Sequence, residues 1–198
     1  MFIVLEGPDG VGKTTQCRLL AERLERELPA NVVSLREPTG GEWGQLIRQA
    51  ARDHKRPTPA VETEWFMADR RQDVELNIKP ALARGWYVVL DRYYFSTAAY
   101  QGARDVSIPD IIRRSREFCV APDLCFVLLG DQEAALKRIM VNRGDTPDAF
   151  EAIDYQKKVA DNFRRLIKED KSLIEINADR TIEEVHGEIW KYVESAIK

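Results

Sequence analysis

A glycine-rich segment near the N-terminus limits the possible folds of this chain more than any other part of its sequence. Residues Gly7–Thr14 read Gly-Pro-Asp-Gly-Val-Gly-Lys-Thr and match the pattern G-x-x-x-x-G-K-[ST]. The apolar run Phe2–Leu5 precedes this segment, and the helical pattern Cys17–Leu28 follows it and stops at Pro29. A chance glycine-rich turn needs neither a strand before it nor a helix after it, so the segment predicts a phosphate-binding loop.

The residue types in this loop suit a nucleoside triphosphate. Glycines allow successive backbone N–H groups to surround phosphate oxygens, and the following helix adds its positive N-terminal dipole. Lys13 can reach the β- and γ-phosphates, and the Thr14 hydroxyl can bind Mg²⁺. Asp91 directly follows the apolar run Val88–Leu90, where a carboxylate that holds the metal is expected. The predicted cofactors are ATP and Mg²⁺, and the residues predicted to bind the ATP phosphates are Gly7, Pro8, Asp9, Gly10, Val11, Gly12, Lys13, Thr14 and Thr15.

Short apolar runs alternate with helical sequence along the chain. The runs are Phe2–Leu5, Val32–Leu35, Trp86–Leu90, Leu124–Leu129 and Leu173–Ile176. Such alternation predicts a parallel sheet with helices on both faces and with ligands at the carboxyl ends of the strands. We therefore expect an α/β chain with the three-layer P-loop NTPase fold and a five-stranded parallel sheet. A length of 198 residues suits a single domain spanning residues 1–198.

Three helical regions complete the predicted architecture. Pro59–Arg84 is expected to be one helix that ends at Gly85 and partly lines a pocket, because it carries several large apolar residues. Residues 133–168 are predicted to be helical with an interruption at Asn142–Pro147, which gives a helical lid at about residues 138–150. The final helix, Ile182–Ile197, has apolar residues at helical spacing and is expected to close the core.

Composition and charge argue against several other classes of protein. No apolar run approaches the roughly 18 residues that a membrane span requires, and Phe2–Leu5 is too short for a signal peptide, so a cytoplasmic protein is expected. The net charge of −3 gives no overall basic field for nucleic acid. Three cysteines without a CxxC pair indicate small core residues rather than a zinc site or a disulfide framework.

Three further motifs, together with the phosphate loop, resemble one particular family. Arg36–Pro38, Phe66–Arg70 and Asp91–Tyr93 have the order and spacing of the thymidylate kinase family, which the chain closely resembles from Phe2 nearly to the C-terminus. The resemblance implies a phosphotransferase that moves the γ-phosphoryl group of ATP to dTMP, giving dTDP and ADP for dTTP biosynthesis. It also implies a homodimer that acts on these small molecules, without a nucleic acid or membrane partner.

The resemblance assigns roles in the acceptor site. In this family the aromatic ring at the position of Phe66 stacks on thymine, and the arginine one helical turn later, here Arg70, donates to a base carbonyl. Arg92 corresponds to the arginine that binds the acceptor phosphate, and Asp9 to the carboxylate that meets the sugar 3′-hydroxyl. Tyr100 would crowd C2′ and favour deoxyribose. The predicted dTMP-binding residues are Asp9, Arg36, Glu37, Arg48, Phe66, Arg70, Arg92, Ser96, Thr97, Tyr100 and Gln101.

The metal set and the assisting arginines also follow from the resemblance. Glu37 corresponds to an acidic residue near the acceptor phosphate and the metal, so the predicted metal-binding residues are Thr14, Asp91 and Glu37. Arg36 and Arg48 can assist in binding the acceptor phosphate. A solvated charge is an equally good interpretation of Arg48.

A cation that some family members carry in the phosphate loop is absent from this sequence, because Gly10 follows Asp9. Phosphoryl transfer requires positive charge near the equatorial oxygens, so we expect the lid to supply it through Arg143 or, as an alternative, Arg138. The predicted catalytic residues are Lys13, Arg92, Arg143 and Asp9. The adenine is expected near Asn177–Arg180, mainly through backbone contacts.

Two other functions are compatible with parts of the sequence. A kinase of another nucleoside monophosphate, such as UMP or dCMP, would keep the phosphate loop and change the residues around the base. A switch protein that hydrolyses ATP slowly would leave Phe66, Arg70 and Arg92 without a role. The sequence therefore favours thymidylate as the acceptor.

Overall fold

A five-stranded sheet forms the centre of the protein. The structure is a computed structural model that describes residues 1–53, 55–143 and 149–197. The strands are β1 Phe2–Glu6, β2 Val32–Arg36, β3 Tyr87–Asp91, β4 Leu124–Leu129 and β5 Leu173–Asn177. They lie in the order β2-β3-β1-β4-β5, and all of the neighbouring pairs are parallel. The predicted α/β class and the five-stranded parallel sheet are confirmed.

Four strands extend one residue beyond their apolar runs, to a polar residue. These residues are Glu6, Arg36, Asp91 and Asn177. The parallel pairing continues through them, since Arg36 is in register with Asp91 across β2 and β3. Because parallel strands end at the same edge of a sheet, these polar side chains gather where a ligand is expected.

Helices cover both faces of the sheet, as predicted. They are α1 Lys13–Glu27, α2 Glu42–Arg52, α3 Pro59–Asp73, α4 Lys79–Ala83, α5 Tyr94–Gly102, α6 Ile108–Arg116, α7 Gln132–Arg143, α8 Ala149–Glu169 and α9 Ile182–Ile197. On one face, Leu20 of α1 and Ile189 of α9 pack in the same core as Ile3. On the other face, Phe95 of α5 and Phe163 of α8 share a core with the strands. Burial of these apolar side chains holds the three layers together.

The region predicted as one helix from Pro59 to Arg84 is helical from Pro59 to Ala83, so that prediction is confirmed to within one residue. A π-helical segment, Val74–Ile78, lies between α3 and α4 within this helix. Pro80 accounts for the segment, because proline has no N–H to donate to the carbonyl four residues earlier. A wider turn absorbs the missing bond, and the N–H of Lys79 donates to the carbonyl of Val74, five residues back.

The helical character predicted for residues 133–168 is confirmed for the described residues, which form α7 to Arg143 and α8 from Ala149. Of the predicted interruption Asn142–Pro147, the first two residues belong to α7 and the others lie outside the described residues. Residues 144–148 and the side chains of Arg138 and Arg143 lie outside the described residues, so the lid at about residues 138–150 stays a prediction. The last helix, α9, has the predicted bounds. Across the described ranges, none of the helices combines the length and the apolar character that crossing a membrane demands.

Candidate active site

The phosphate loop turns tightly between β1 and α1. Gly7, Gly10 and Gly12 have positive φ angles of 138°, 78° and 97°. A Cβ atom on Gly7 would lie 2.3 Å from the carbonyl oxygen of Leu128, so a side chain there would collide with the backbone of β4. In the described structure no side chain caps the N-terminus of α1. The first N–H groups of this helix therefore remain available to an anion.

Lys13 is buried at the first position of α1. Its Nζ atom donates a hydrogen bond of 2.5 Å to the carbonyl oxygen of Pro8. Burial lowers the pKa of Lys13 to about 7, and the positive charge of Arg92 adds to this shift. A phosphate anion beside Nζ would oppose both effects, so the site favours a negatively charged ligand.

Two of the three residues predicted to bind metal are in contact. Thr14 Oγ1 donates to Asp91 Oδ2 at 2.5 Å. Asp91 Oδ1 is buried and has no hydrogen-bond partner within the described residues. A hydroxyl and a carboxylate with an unsatisfied oxygen fit the oxygen ligands that Mg²⁺ prefers.

A cavity of about 470 Å³ surrounds this pair. It is lined by residues 9–16 of the phosphate loop and α1, by Arg36, Asp91 and Arg92 at the strand ends, and by Ala178 and Arg180 after β5. The region predicted to lie near adenine, Asn177–Arg180, therefore adjoins the phosphate loop. The cavity is large enough for the phosphates and part of a nucleoside.

Arg92 is fixed between this cavity and a second one. Its backbone φ of 73° lies in the left-handed region, which a non-glycine residue rarely adopts. Nη2 donates to Asp9 Oδ1 at 2.5 Å and to the hydroxyl of Tyr100 at 3.3 Å. Nη1 donates to the Gly7 carbonyl at 3.2 Å and to Ser96 Oγ at 3.3 Å. The side chain lines both cavities, so one cation faces two ligand spaces.

The second cavity is smaller, about 60 Å³, and lies between α3 and α5. Phe66, Arg70, Thr97, Tyr100 and Glu37 are among the residues that line it. Arg70 is buried, and it donates from Nε to Glu37 Oε2 and from Nη2 to Thr97 Oγ1, both at 2.8 Å. Arg70 Nη1 and Glu37 Oε1 are buried without a hydrogen-bond partner in the described part of the chain. One donor and one acceptor are thus available to a ligand.

Glu37, the third residue predicted to bind metal, has its side chain in this smaller cavity. Burial raises the pKa of Glu37, while the adjacent Arg70 guanidinium opposes that shift. The backbone N–H of Glu37 donates to the carbonyl of Asp91 at 3.0 Å, so the two residues are neighbours through their main chains. A metal-binding role for Glu37 stays a prediction.

Three further residues predicted to bind dTMP, which are Arg36, Arg48 and Gln101, differ in their exposure and contacts. Arg36 is mostly exposed, and its Nε lies 4.0 Å from Asp91 Oδ2. Arg48 donates to the carbonyl of Pro38 at 2.8 Å, and it therefore supports the loop that lines the smaller cavity. Gln101 is buried one turn beyond Thr97 on α5.

Three buried polar residues of the site are absent from the sequence-based prediction: Glu6, Glu62 and Gln156. Glu6 ends β1 and accepts hydrogen bonds from the N–H groups of Tyr93 at 3.0 Å and Ser96 at 3.2 Å. It thereby fixes the turn after β3. Burial raises the pKa of Glu6. The one signal in the sequence is a carboxylate at the end of an otherwise apolar strand.

Gln156 connects α8 to the phosphate loop. Its Oε1 accepts from the N–H of Asp9 at 3.2 Å, and its Nε2 donates to Asp9 Oδ2 at 3.1 Å. The preceding residue, Tyr155, donates to the carbonyl of Tyr100 at 3.0 Å. The helix that follows the predicted lid thus contacts both the loop and α5, and no local pattern in the sequence indicates it.

Fold and site together define the class of P-loop phosphotransferases, because a phosphate loop and a hydroxyl–carboxylate pair suited to Mg²⁺ adjoin a second polar cavity. A family model described as thymidylate kinase matches residues 5–189. The chain belongs to the thymidylate kinase family.

Individual relatives agree with this family. The thymidylate kinase of Desulfotalea psychrophila is 39% identical over 197 residues, which cover 100% of this chain and 96% of the relative. A probable thymidylate kinase of Archaeoglobus fulgidus is 38% identical over 195 residues, which cover 98% of this chain and 95% of the relative. Among solved structures, the thymidylate kinase from Ehrlichia chaffeensis has a TM-score of 0.79 and 28% identity, with 98% of both chains covered.

Proposed function

We propose that the protein is a thymidylate kinase that transfers the γ-phosphoryl group of ATP to dTMP, forming dTDP and ADP. The observation that carries the proposal is the position of Arg92, which lines both the cavity of the phosphate loop and the cavity with Phe66 and Arg70. A γ-phosphate beside Lys13 and an acceptor phosphate on Arg92 would be neighbours, as direct transfer requires. Family membership supports the same reaction.

The unsatisfied polar atoms support a thymine or uracil base over cytosine. Phe66 offers a partly buried ring for stacking. Arg70 Nη1 is an unpaired donor that suits the O4 carbonyl, and Gln101 Oε1 is a buried, unpaired acceptor that suits N3–H. Cytosine carries an amino group in place of O4 and has no proton on N3. Its amino donor would face the donor of Arg70, and its N3 acceptor would face the acceptor of Gln101. This pattern argues against the dCMP kinase.

The sugar is the second basis for selectivity. Asp9 is the residue proposed to meet the 3′-hydroxyl, and its carboxylate is held by Arg92 and Gln156. Tyr100 is proposed to crowd C2′, and its hydroxyl is held by Arg92 at 3.3 Å. Both side chains are therefore oriented before a substrate binds, which lowers the entropic cost of binding it.

In the proposed reaction the chain mainly orients and neutralises phosphates. An acceptor phosphate is largely ionised near neutral pH, so it needs no strong general base. Arg92 would hold its oxygens, and Lys13 would neutralise charge on the transferring group. Thr14 and Asp91 would hold Mg²⁺, which when bound neutralises the phosphates further.

A lid arginine is part of the proposal. Gly10 offers no side chain at its place in the loop, so Arg143, with Arg138 as the alternative, is proposed to supply a further cation to the transferring group. Single-turnover transfer by Arg143→Ala and Arg138→Ala shows which of the two arginines supplies the cation, since the variant that lacks this arginine should transfer more slowly. Transfer at the parent rate by both variants would rule out the lid cation.

The proposed function is tested by assaying the protein with ATP and Mg²⁺ against dTMP, dUMP, UMP and dCMP, with separation of the nucleotide products. We expect dTMP to be the preferred acceptor and dTDP and ADP to form in equal amounts. A preference for another monophosphate would assign a different kinase. Release of inorganic phosphate without any nucleoside diphosphate product would indicate the slow hydrolase instead.

A cytoplasmic homodimer is also proposed, on the basis of the family. Leu76 is 72% exposed on the π-helical segment, where it borders a groove of about 630 Å³ that Trp43 and Met67 also line. An apolar side chain exposed to this degree suits contact with a second copy. We expect Leu76→Lys to shift sedimentation equilibrium toward monomer. A parent protein that sediments as a monomer would contradict the proposal.

A further inference from the structure

Two polar contacts join α3 to α5, and the residues of the first, Arg70 and Thr97, line the smaller cavity. Arg70 Nη2 donates to Thr97 Oγ1 at 2.8 Å, and Gln101 Nε2 donates to Glu62 Oε2 at 2.9 Å. Phe66 lies on the same face of α3, one helical turn from both Glu62 and Arg70. The two contacts therefore flank the ring proposed to stack on the base.

Glu62 determines which end of the Gln101 amide faces it. Both side chains are about as buried as the core, with 2% of each residue exposed. A carboxylate only accepts hydrogen bonds, so it selects the amide Nε2 and turns Oε1 away. Arg104 donates to the same Glu62 oxygen, and Arg56 Nε lies 3.8 Å from the other oxygen. Gln101 Oε1 is left buried and without a partner within the described ranges.

We propose that Glu62 is a positioning residue for base choice, because it holds Gln101 with Oε1 rather than Nε2 toward N3 of the pyrimidine. This inference rests on the proposed function. Thymine and uracil carry N3–H, from which Oε1 can accept, whereas the N3 of cytosine is itself an acceptor. A freely rotating amide would match either base. Glu62 removes that freedom and so adds a repulsive contact against cytosine.

Glu62→Met tests this role, because methionine is unbranched and of similar length but cannot accept the hydrogen bond. Arg104 can still reach solvent, since 22% of its side chain is exposed. We expect the ratio of kcat/KM for dTMP to that for dCMP to fall about tenfold, mainly through KM. The ratio for dTMP over dUMP should not change, because these bases present the same N3–H. Glu64→Met, on the exposed side of the same helix, is the matched control and should keep both ratios.

A double-mutant cycle shows whether Glu62 acts through Gln101. Gln101→Met removes both ends of the amide and should lower the dTMP to dCMP ratio at least as far as Glu62→Met. Adding Glu62→Met to Gln101→Met should then leave that ratio unchanged, since the group that Glu62 positions is gone.

Several results would overturn the inference. An unchanged ratio in folded Glu62→Met, an equal loss of activity toward dTMP and dCMP, or additive effects in the cycle would each assign Glu62 a structural role only. If Glu62→Met does not fold, Gln101→Met provides the test. An unchanged dTMP to dCMP ratio in that variant would show that Gln101 does not select the base, and it would contradict the inference that Glu62 positions Gln101 for that purpose. A parent enzyme that does not prefer dTMP over dCMP contradicts the proposed function itself, before any variant is compared.

Discussion

Replacement of Lys13 by alanine is expected to slow phosphoryl transfer by about 10²–10³-fold and to leave the fold intact. The buried Nζ cation is lost, but the shape of the loop depends on the backbone of Gly7, Gly10 and Gly12. Turnover at saturating ATP, dTMP and Mg²⁺ measures the loss. Because burial already disfavours the charged form of Lys13, its removal should change the free energy of unfolding by no more than about 1 kcal/mol.

The matched control for this variant is Lys79→Ala. Lys79 is an exposed lysine on α4 that pairs with Glu75, and its loss should leave turnover at the parent value. A folded Lys13→Ala protein whose turnover stays within tenfold of the parent would contradict the role of Lys13. A similar loss in Lys79→Ala would show that the effect does not come from the loop.

Features with a local signal were predictable from the sequence. The motif Gly7–Thr14 can be recognised because the phosphate loop needs its residue types at fixed spacing, and β4 and α9 have the bounds that their apolar patterns predict. The other four strands extend one residue beyond their predicted runs, because an apolar run stops before the hydrogen-bonded ladder does. Of the polar residues that end these strands, Arg36, Asp91 and Asn177 belong to the predicted site, whereas Glu6 does not.

The helix from Pro59 to Ala83 contains a detail that its apolar pattern does not predict. The large apolar residues indicate one helix, and Pro80 removes a hydrogen bond from its interior. The helix continues through the proline because the π-helical segment absorbs the missing hydrogen bond.

The contacts that orient the site were not predictable. Glu6 bonds to Tyr93 across 87 residues of sequence, and Gln156 bonds to Asp9 across 147. A single glutamate or glutamine is most often an exposed residue, and nothing in its neighbours along the chain distinguishes it. Only the packing of α5 and α8 against β1 and the loop brings these groups to their partners.

Three replacements of Arg92 are expected to separate its charge from the strain in its backbone. A φ of 73° costs a non-glycine residue roughly 1–2 kcal/mol, so Arg92→Gly should be more stable than Arg92→Ala. Both variants should lose about 10³-fold in kcat/KM for dTMP, because neither places a cation between the two cavities. Arg92→Lys should recover only part of this loss, since a point charge cannot hold Asp9 and two phosphate oxygens at once.

Single-turnover transfer from ATP to dTMP, combined with equilibrium unfolding of each protein, tests this separation. If Arg92 served only the fold, activity would follow stability, and Arg92→Gly would be clearly more active than Arg92→Ala. Equal losses of activity at unequal stabilities instead assign the effect to the missing guanidinium. Transfer at the parent rate by Arg92→Gly would contradict the role of Arg92, because it would show that the reaction needs no guanidinium where the two cavities meet. The proposed function would then lose the observation on which it depends.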